Sequence, residues 1–270
     1  MDINKIFYNK NLKDISKILH INIFPIFNIK IVKNSNEYKN LIEELPMNFS
    51  DLNYLKENLE DLDNKDAFHQ ARNLANSADS VEKLYKYVDN FDGCSLKNQA
   101  IQTVFSDGNP NSDIMLIGEA PGMNEDIQGI PFCGQSGKLL DNILFRFNLN
   151  REKVYISNSI FWRPPNNRPP TLDEIILCKP FVEKHISLIS PKIIILVGST
   201  AAKSILNNKQ PLSTLRGTFY NYVNQYIKDP IPTVVIYHPS YLLRQPKQKK
   251  LMLLDMMKIM QFYREIIKNN

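Results

Sequence analysis

Three carboxylates, Glu119, Glu125 and Asp126, fall within eight residues of a segment reading GEAPGMNEDIQGIPFCGQSG, which also carries Phe132. Further along, Asn158 closes the run KVYISN and His238 opens HPSYLLRQPKQKK. A flat aromatic and an amide are what a site needs to hold a planar heterocycle. The ring stacks on the aromatic, and the amide pairs with a carbonyl and its neighbouring N–H. Taken singly, each residue has a plain structural reading: an exposed acid, a packed Phe, an Asn capping a turn, a structural His. Brought together they make a candidate active site. Gly118, Pro121 and Gly122 read as a tight strand-to-helix turn rather than a phosphate loop. The G-x-x-x-x-G-K-[ST] spacing fails because Lys138 does not follow such a run, and G-x-G-x-x-G is absent.

Each candidate sits just after a short apolar run. The runs 113–119, 153–159, 192–198 and 232–237 read as strands, and helical patterns separate them. Ser80 caps a helix over 81–91, and Leu139, Leu140, Ile143, Leu144 and Phe147 share one face of another over 136–147. Thr171 with Glu174 forms a capping box for the helix that follows. A small-residue helix starts at Ser199, and a long one closes the chain over 251–267. Near-continuous apolar strands alternating with helices indicate a parallel sheet covered on both faces. Such sheets bind ligands outside the carboxyl ends of their strands, where these polar residues fall.

Composition narrows the setting. The chain has 270 residues, 43% hydrophobic and 23% charged, which rules out wholesale disorder and collagen-like structure. Its longest clean apolar run, Ile193 to Val197, is far short of the roughly 18–20 residues of a membrane helix. The charged start MDINKIFYNKNLKD lacks the apolar core of a signal peptide, and three scattered cysteines do not make a disulfide framework. We therefore expect a soluble, cytoplasmic protein without a membrane partner. Residues 1–80 carry 10 basic against 12 acidic side chains, so within the net charge of +5 the remainder carries +7. A basic portion is compatible with nucleic acid as partner, and solubility alone explains it equally well. Residues 1–78 read as a partly helical appendage of unknown use. It has an edge strand with Pro25 over 21–33 and helices over 50–63 and 67–78, and His69 in it reads as a surface or packing residue. Residues 79–270 read as the main domain.

The motif series LIGEAPGMNEDIQGIPFCGQSGKLLDNIL, VYISN, RPPNNRPPT, RGTFY and HPSYLLRQP closely resembles family 4 uracil-DNA glycosylases, in order and spacing, from about Ser80 to Tyr263. The resemblance implies a three-layer α/β/α fold with a short, mostly parallel four-stranded central sheet. It implies hydrolysis of the N-glycosidic bond of uracil flipped out of DNA, with uracil-containing DNA as partner and the chain a monomer. Phe132 matches the stacking aromatic, Asn158 the amide that reads uracil and rejects cytosine, and His238 the imidazole facing uracil O2. Ala120 and Gly122 match positions lining the base pocket. Ala120 stands where better-known uracil glycosylases place an Asp directly before the proline. The carboxylate contribution then falls first to Glu125, with Glu119 and Asp126 as rivals; Glu125 could instead exclude thymine's methyl group. HPSYLLR resembles the family's minor-groove loop, with Leu242 or Leu243 as wedge and Arg244 and Lys247 on phosphates. Arg163, Asn167 and Arg168 of the Pro-rich loop lie near the DNA backbone in the same comparison.

One departure concerns the metal. Family 4 members usually hold a [4Fe–4S] cluster on four Cys, and here those positions are Phe91, Cys94, Trp162 and Cys178. Two ligands of four remain, and Cys133 lies in the base-side loop. The expectation is no cofactor, with Phe91 and Trp162 filling the cluster's volume. Two rival readings keep the fold: a glycosylase for another deaminated base, and a non-enzymatic DNA-binding relative.

Overall fold

A computed structural model of the chain describes residues 62–208 and 210–268, so the strand over 21–33 and the helix over 50–63 lie outside the described residues, save for the latter's last two positions. The compact unit spans Asp63–Asn270. It takes in all but the first residue of helix α1 (Leu62–Ser77), which lies before the boundary at 78/79 read from sequence. Ala71 and Ala75 of α1 are buried in the same core as Leu84 and Val88 of α2 (Val81–Asp89).

Four strands form the parallel centre of the sheet: β2 (Ile114–Gly118), β3 (Tyr155–Asn158), β4 (Ile193–Val197) and β6 (Ile231–Ile236). Every residue of β2, β3 and β4 is buried, as expected for strands covered on both faces. The sheet has six strands, not the four expected, in the order β1-β3-β2-β4-β6-β5. The two additions, β1 (Ser106–Gly108) and β5 (Phe219–Tyr222), are antiparallel edges paired to β3 and β6. Neither carries a continuous apolar run, because an edge strand need not bury both faces, and β1 reads only SDG.

Side chains alternate across the sheet. Met115, Ile117, Ile194 and Leu196 point to one face, where they meet α1, α2, α5 (Leu172–Ile189) and α6 (Ser199–Leu206). Ile114, Leu116, Ile193 and Ile195 point to the other, against α4 (Gln135–Phe145) and α9 (Lys249–Lys268). The capping box at α5 is present: Glu174 N–H donates to Thr171 Oγ1 at 3.3 Å and Thr171 N–H donates to Glu174 Oε2 at 2.7 Å. Two short helices, α3 (Met123–Gln128) and α7 (Leu212–Leu215), and α8 (Pro239–Arg244) complete the set. Strand β2 lies between β3 and β4. The chain leaves β2 through α4 on one face and leaves β3 through α5 on the other. The connections therefore part at the end of β2, which opens a crevice there.

Candidate active site

Gly118 ends β2 and pairs in register with Asn158, the last residue of β3. A Cβ at Gly118 would lie 2.3 Å from Asn158 Oδ1 and 2.6 Å from Phe132 Cζ, so only glycine lets the amide and the ring approach there together. His238 follows β6 as the N-cap of α8, and its ring centroid is 5.6 Å from that of Phe132. Gly198, at φ +99, makes room for it beyond β4: a Cβ there would sit 3.1 Å from His238 Cβ. Amide, aromatic and imidazole thus converge from three strand ends on one cleft of about 730 Å³. Phe132 holds φ +53 and is 6% exposed. That left-handed conformation costs a bulky residue about 1–3 kcal/mol and persists only where the surroundings impose it.

The three carboxylates separate by environment. Glu125 lines the cleft, but both its oxygens hold backbone: Gly122 N–H donates to Oε2 at 3.1 Å and Gly134 N–H to Oε1 at 2.9 Å. It ties the start of α3 to the start of α4. Asp126 is 2% exposed and is not brought into the cleft; its Oδ1 accepts from Ile101 N–H at 2.8 Å, and Arg163 lies 3.9 Å away. Glu119 lines the cleft with its carboxylate free of hydrogen bonds to the described residues. Its backbone carbonyl is fixed by Ser159 Oγ–H at 2.8 Å and Ile160 N–H at 3.1 Å.

Ala120, Gly122, Asn167, Arg168, Leu243 and Arg244 also line the cleft, whereas Arg163, Leu242 and Lys247 do not. Leu242 is fully buried and Leu243 is 41% exposed, a distinction that the sequence LL leaves open. Arg163 Nε–H donates to Asn167 Oδ1 at 2.7 Å, and Arg168 grips Glu174 bidentately at 2.6 and 2.9 Å. These arginines brace the Pro-rich loop. Sequence reasoning missed Ser240, Tyr241 and Ser199 of the cleft lining, although all three follow strand ends, the rule that identified the others.

Ser240 sets the tautomer of His238. Its backbone N–H donates to Nδ1 at 3.1 Å, so Nδ1 is the acceptor and the proton of the neutral ring resides on Nε2. Burial, helped by nearby Arg244 and opposed by Glu125, lowers the imidazole's pKa from 6.5 to about 4. Burial takes His185, whose Nε2 lies 2.7 Å from Tyr155 Oη, to about 3. Unfolded imidazole takes its proton near 6.5, so between that value and about 4 protons favour the unfolded chain. Stability should therefore fall as pH drops through this window, by roughly 1.4 kcal/mol per histidine per pH unit at most. Urea midpoints at pH 7 and pH 4.5 check this. A His185→Gln variant should lose less over the same interval, and an unchanged wild-type midpoint would refute the assignment.

Residues 105–259 match the model of the uracil DNA glycosylase superfamily. The chain is 38% identical over 186 residues to a type-4 uracil-DNA glycosylase of Sulfurisphaera tokodaii, covering 67% of this chain and 84% of the relative. This chain belongs to the type-4 uracil-DNA glycosylase family. The relative of that name from Archaeoglobus fulgidus is 34% identical over 176 residues, or 64% of this chain and 87% of its own. That from Thermotoga maritima is 38% identical over 152 residues, or 56% and 77%.

Phe91, Cys94, Trp162 and Cys178 are the positions at which the resemblance expects the ligands of an iron–sulfur cluster. All four are fully buried in one core. Phe91 packs edge-on to Phe181 at 5.2 Å, and Trp162 Nε1–H donates to Thr103 Oγ1 at 3.1 Å. The two thiols influence each other's titration most, Cys178 pulling the Cys94 thiol down and Cys94 pushing that of Cys178 up. Among the described residues no group of three or more His, Cys, Asp or Glu is placed to hold a metal ion. Two thiols beside two aromatic rings do not fit a cluster that takes four thiolates.

Proposed function

We propose that this chain hydrolyses the N-glycosidic bond of uracil flipped out of DNA and leaves an abasic site. The observation that carries the reading is the convergence of Phe132, Asn158 and His238 on one cleft at the carboxyl ends of β2, β3 and β6. Extruding the nucleotide costs a few kcal/mol of stacking and pairing, less at a U·G mismatch. Uracil stacks on Phe132, beside Ala120 and Gly122. The Asn158 amide accepts from N3–H and donates to O4. Cytosine presents the opposite pattern, an unprotonated N3 and an exocyclic amine, and is rejected. As the C1′–N1 bond breaks, its electron pair leaves with the base, and the neutral His238 donates Nε2–H to O2, where charge accumulates.

The sugar gains oxocarbenium character and water adds at C1′. Glu119 orients that water and takes its proton. Two observations favour Glu119 over Glu125: its carboxylate has no hydrogen bond to the described residues, while both oxygens of Glu125 hold backbone amides. Asp126, buried against Ile101 N–H, keeps a structural role. In the loop after β6, exposed Leu243 is the wedge that occupies the vacated stack, and exposed Arg244 and Lys247 meet phosphates. Asn167 and Arg168 face the DNA from the Pro-rich loop, with Arg163 bracing it.

The protein acts as a cytoplasmic monomer in this reading, and no described helix is long and apolar enough to cross a membrane. It carries no [4Fe–4S] cluster, Phe91 and Trp162 forming an apolar plug. Protein purified without exposure to air should show no absorption near 400 nm and no iron. About four irons per chain would overturn that part of the reading. The activity itself is tested on oligonucleotides with U·G, U·A or single-stranded uracil. Alkali-dependent scission at the uracil position is expected, and intact strands with all three would exclude the reading.

A further inference from the structure

We infer that Arg151, outside the cleft, is a positioning residue for base excision: its guanidinium fixes the backbone of Pro131 and Phe132, and with it the plane of the stacking ring. Nη1–H donates to Pro131 O at 3.1 Å and Nη2–H to Phe132 O at 2.6 Å. The same fork is held from behind. Nε–H donates to Asp141 Oδ1 of α4 at 3.1 Å, and Nη1–H to Asp107 Oδ2 of the edge strand β1. Two carboxylates thus lock a planar cation against two consecutive carbonyls.

Those carbonyls flank the residue that needs holding. Phe132 adopts φ +53, which a non-glycine residue keeps only where its peptide groups are held. Gly137 completes the cradle, since a Cβ there would fall 1.5 Å from Phe132 O. The carbonyl is thus enclosed by the first turn of α4 and the guanidinium. An ion pair that served stability alone would not need to reach the Phe132 backbone. Lysine, a point charge without the planar fork, cannot serve both carbonyls and both carboxylates at once.

The inference rests on Phe132 being the stacking platform, so the test includes Phe132→Ala. Arg151→Met, which keeps the stem and loses the fork, and Arg151→Lys, which keeps the charge, are prepared as full chains. Each is assayed well below its melting temperature. Three quantities are read: the single-turnover excision rate at saturating single-stranded uracil oligonucleotide, the half-saturating DNA concentration, and inhibition by free uracil. Arg151→Met should lower the saturating rate roughly 10²-fold, the scale of an ångström-sized misplacement. Free-uracil inhibition should weaken about tenfold, with half-saturating DNA within about twofold of wild type. Arg151→Lys should show the same split to a smaller degree, and it serves alone if the Met variant does not fold. Folded variants whose rate and uracil inhibition stay within about threefold of wild type would overturn the inference, provided Phe132→Ala has lost activity. If Phe132→Ala excises at the wild-type rate, the stacking reading falls and the inference with it.

Discussion

Replacing Asn158 by Asp should lower the excision rate from uracil-containing DNA by roughly 10⁴-fold, the scale on which a site built to hydrogen-bond its ligand discriminates. The two side chains are nearly the same size, so packing at the end of β3 is conserved. What changes is one donor. In the proposed reading the amide offers an N–H to uracil O4, and the carboxylate would set a charged oxygen against that carbonyl. Asn158 is buried beside Gly118 and Phe132, where water cannot compensate for the mismatch. The charge also lies near the base on which negative charge develops, which opposes bond cleavage a second time. Single-turnover rates for wild type and Asn158→Asp, with DNA affinity measured in parallel, check this. The rate should collapse with affinity nearly unchanged, because phosphate contacts supply most of the binding.

His238→Ala should cost roughly 10²–10³-fold in the same assay, the usual effect of removing a preorganised donor from a developing anion. The wild-type ring is already set to donate. Ser240 N–H holds Nδ1, burial keeps the ring neutral, and Nε2–H needs no proton transfer to act. The pKa of about 4 gives a second signature. Between pH 5 and 8 the excision rate should show no inflection from this imidazole. A rate that follows a group of pKa near 6.5 and loses that dependence in His238→Ala would show that the ring works as a cation instead.

Both effects depend on a frame that was largely legible in the residues. Strands β2, β3, β4 and β6 announced themselves as apolar runs because both their faces are buried. The strand-end rule then located Phe132, Asn158 and His238 without reference to shape. The edges β1 and β5 were illegible for the opposite reason: SDG and FYNY carry no period that a core would impose. Environment, too, lies beyond a linear reading. Glu119, Glu125 and Asp126 are neighbours in sequence, but only the folded chain shows that two of them hold backbone amides. Adjacent Leu242 and Leu243 differ only in which side of a six-residue helix each occupies. Arg151 gave no signal, since its partners Asp107, Pro131, Phe132 and Asp141 lie 10 to 44 residues away along the chain.

The cluster positions illustrate a different limit. Cysteine counting finds Phe91 and Trp162 at two of the four positions where the resemblance expects cluster ligands, but not what those side chains do there. Both are among the largest fully buried side chains described, and they join the core around α5. Each aromatic buries on the order of 150–250 Å², which can offset part of the stability that metal ligation supplies elsewhere.

The most direct measurement is the release of the free base. A U·G duplex labelled in the uracil ring is incubated with the full chain, and free uracil is separated from DNA and compared with the number of alkali-labile sites. Free uracil should equal those sites in number, on strands that stay intact until alkali is added, with no such release by Asn158→Asp. Uracil that remains in the DNA, or release by the wild-type chain that Asn158→Asp matches, would contradict the proposed function.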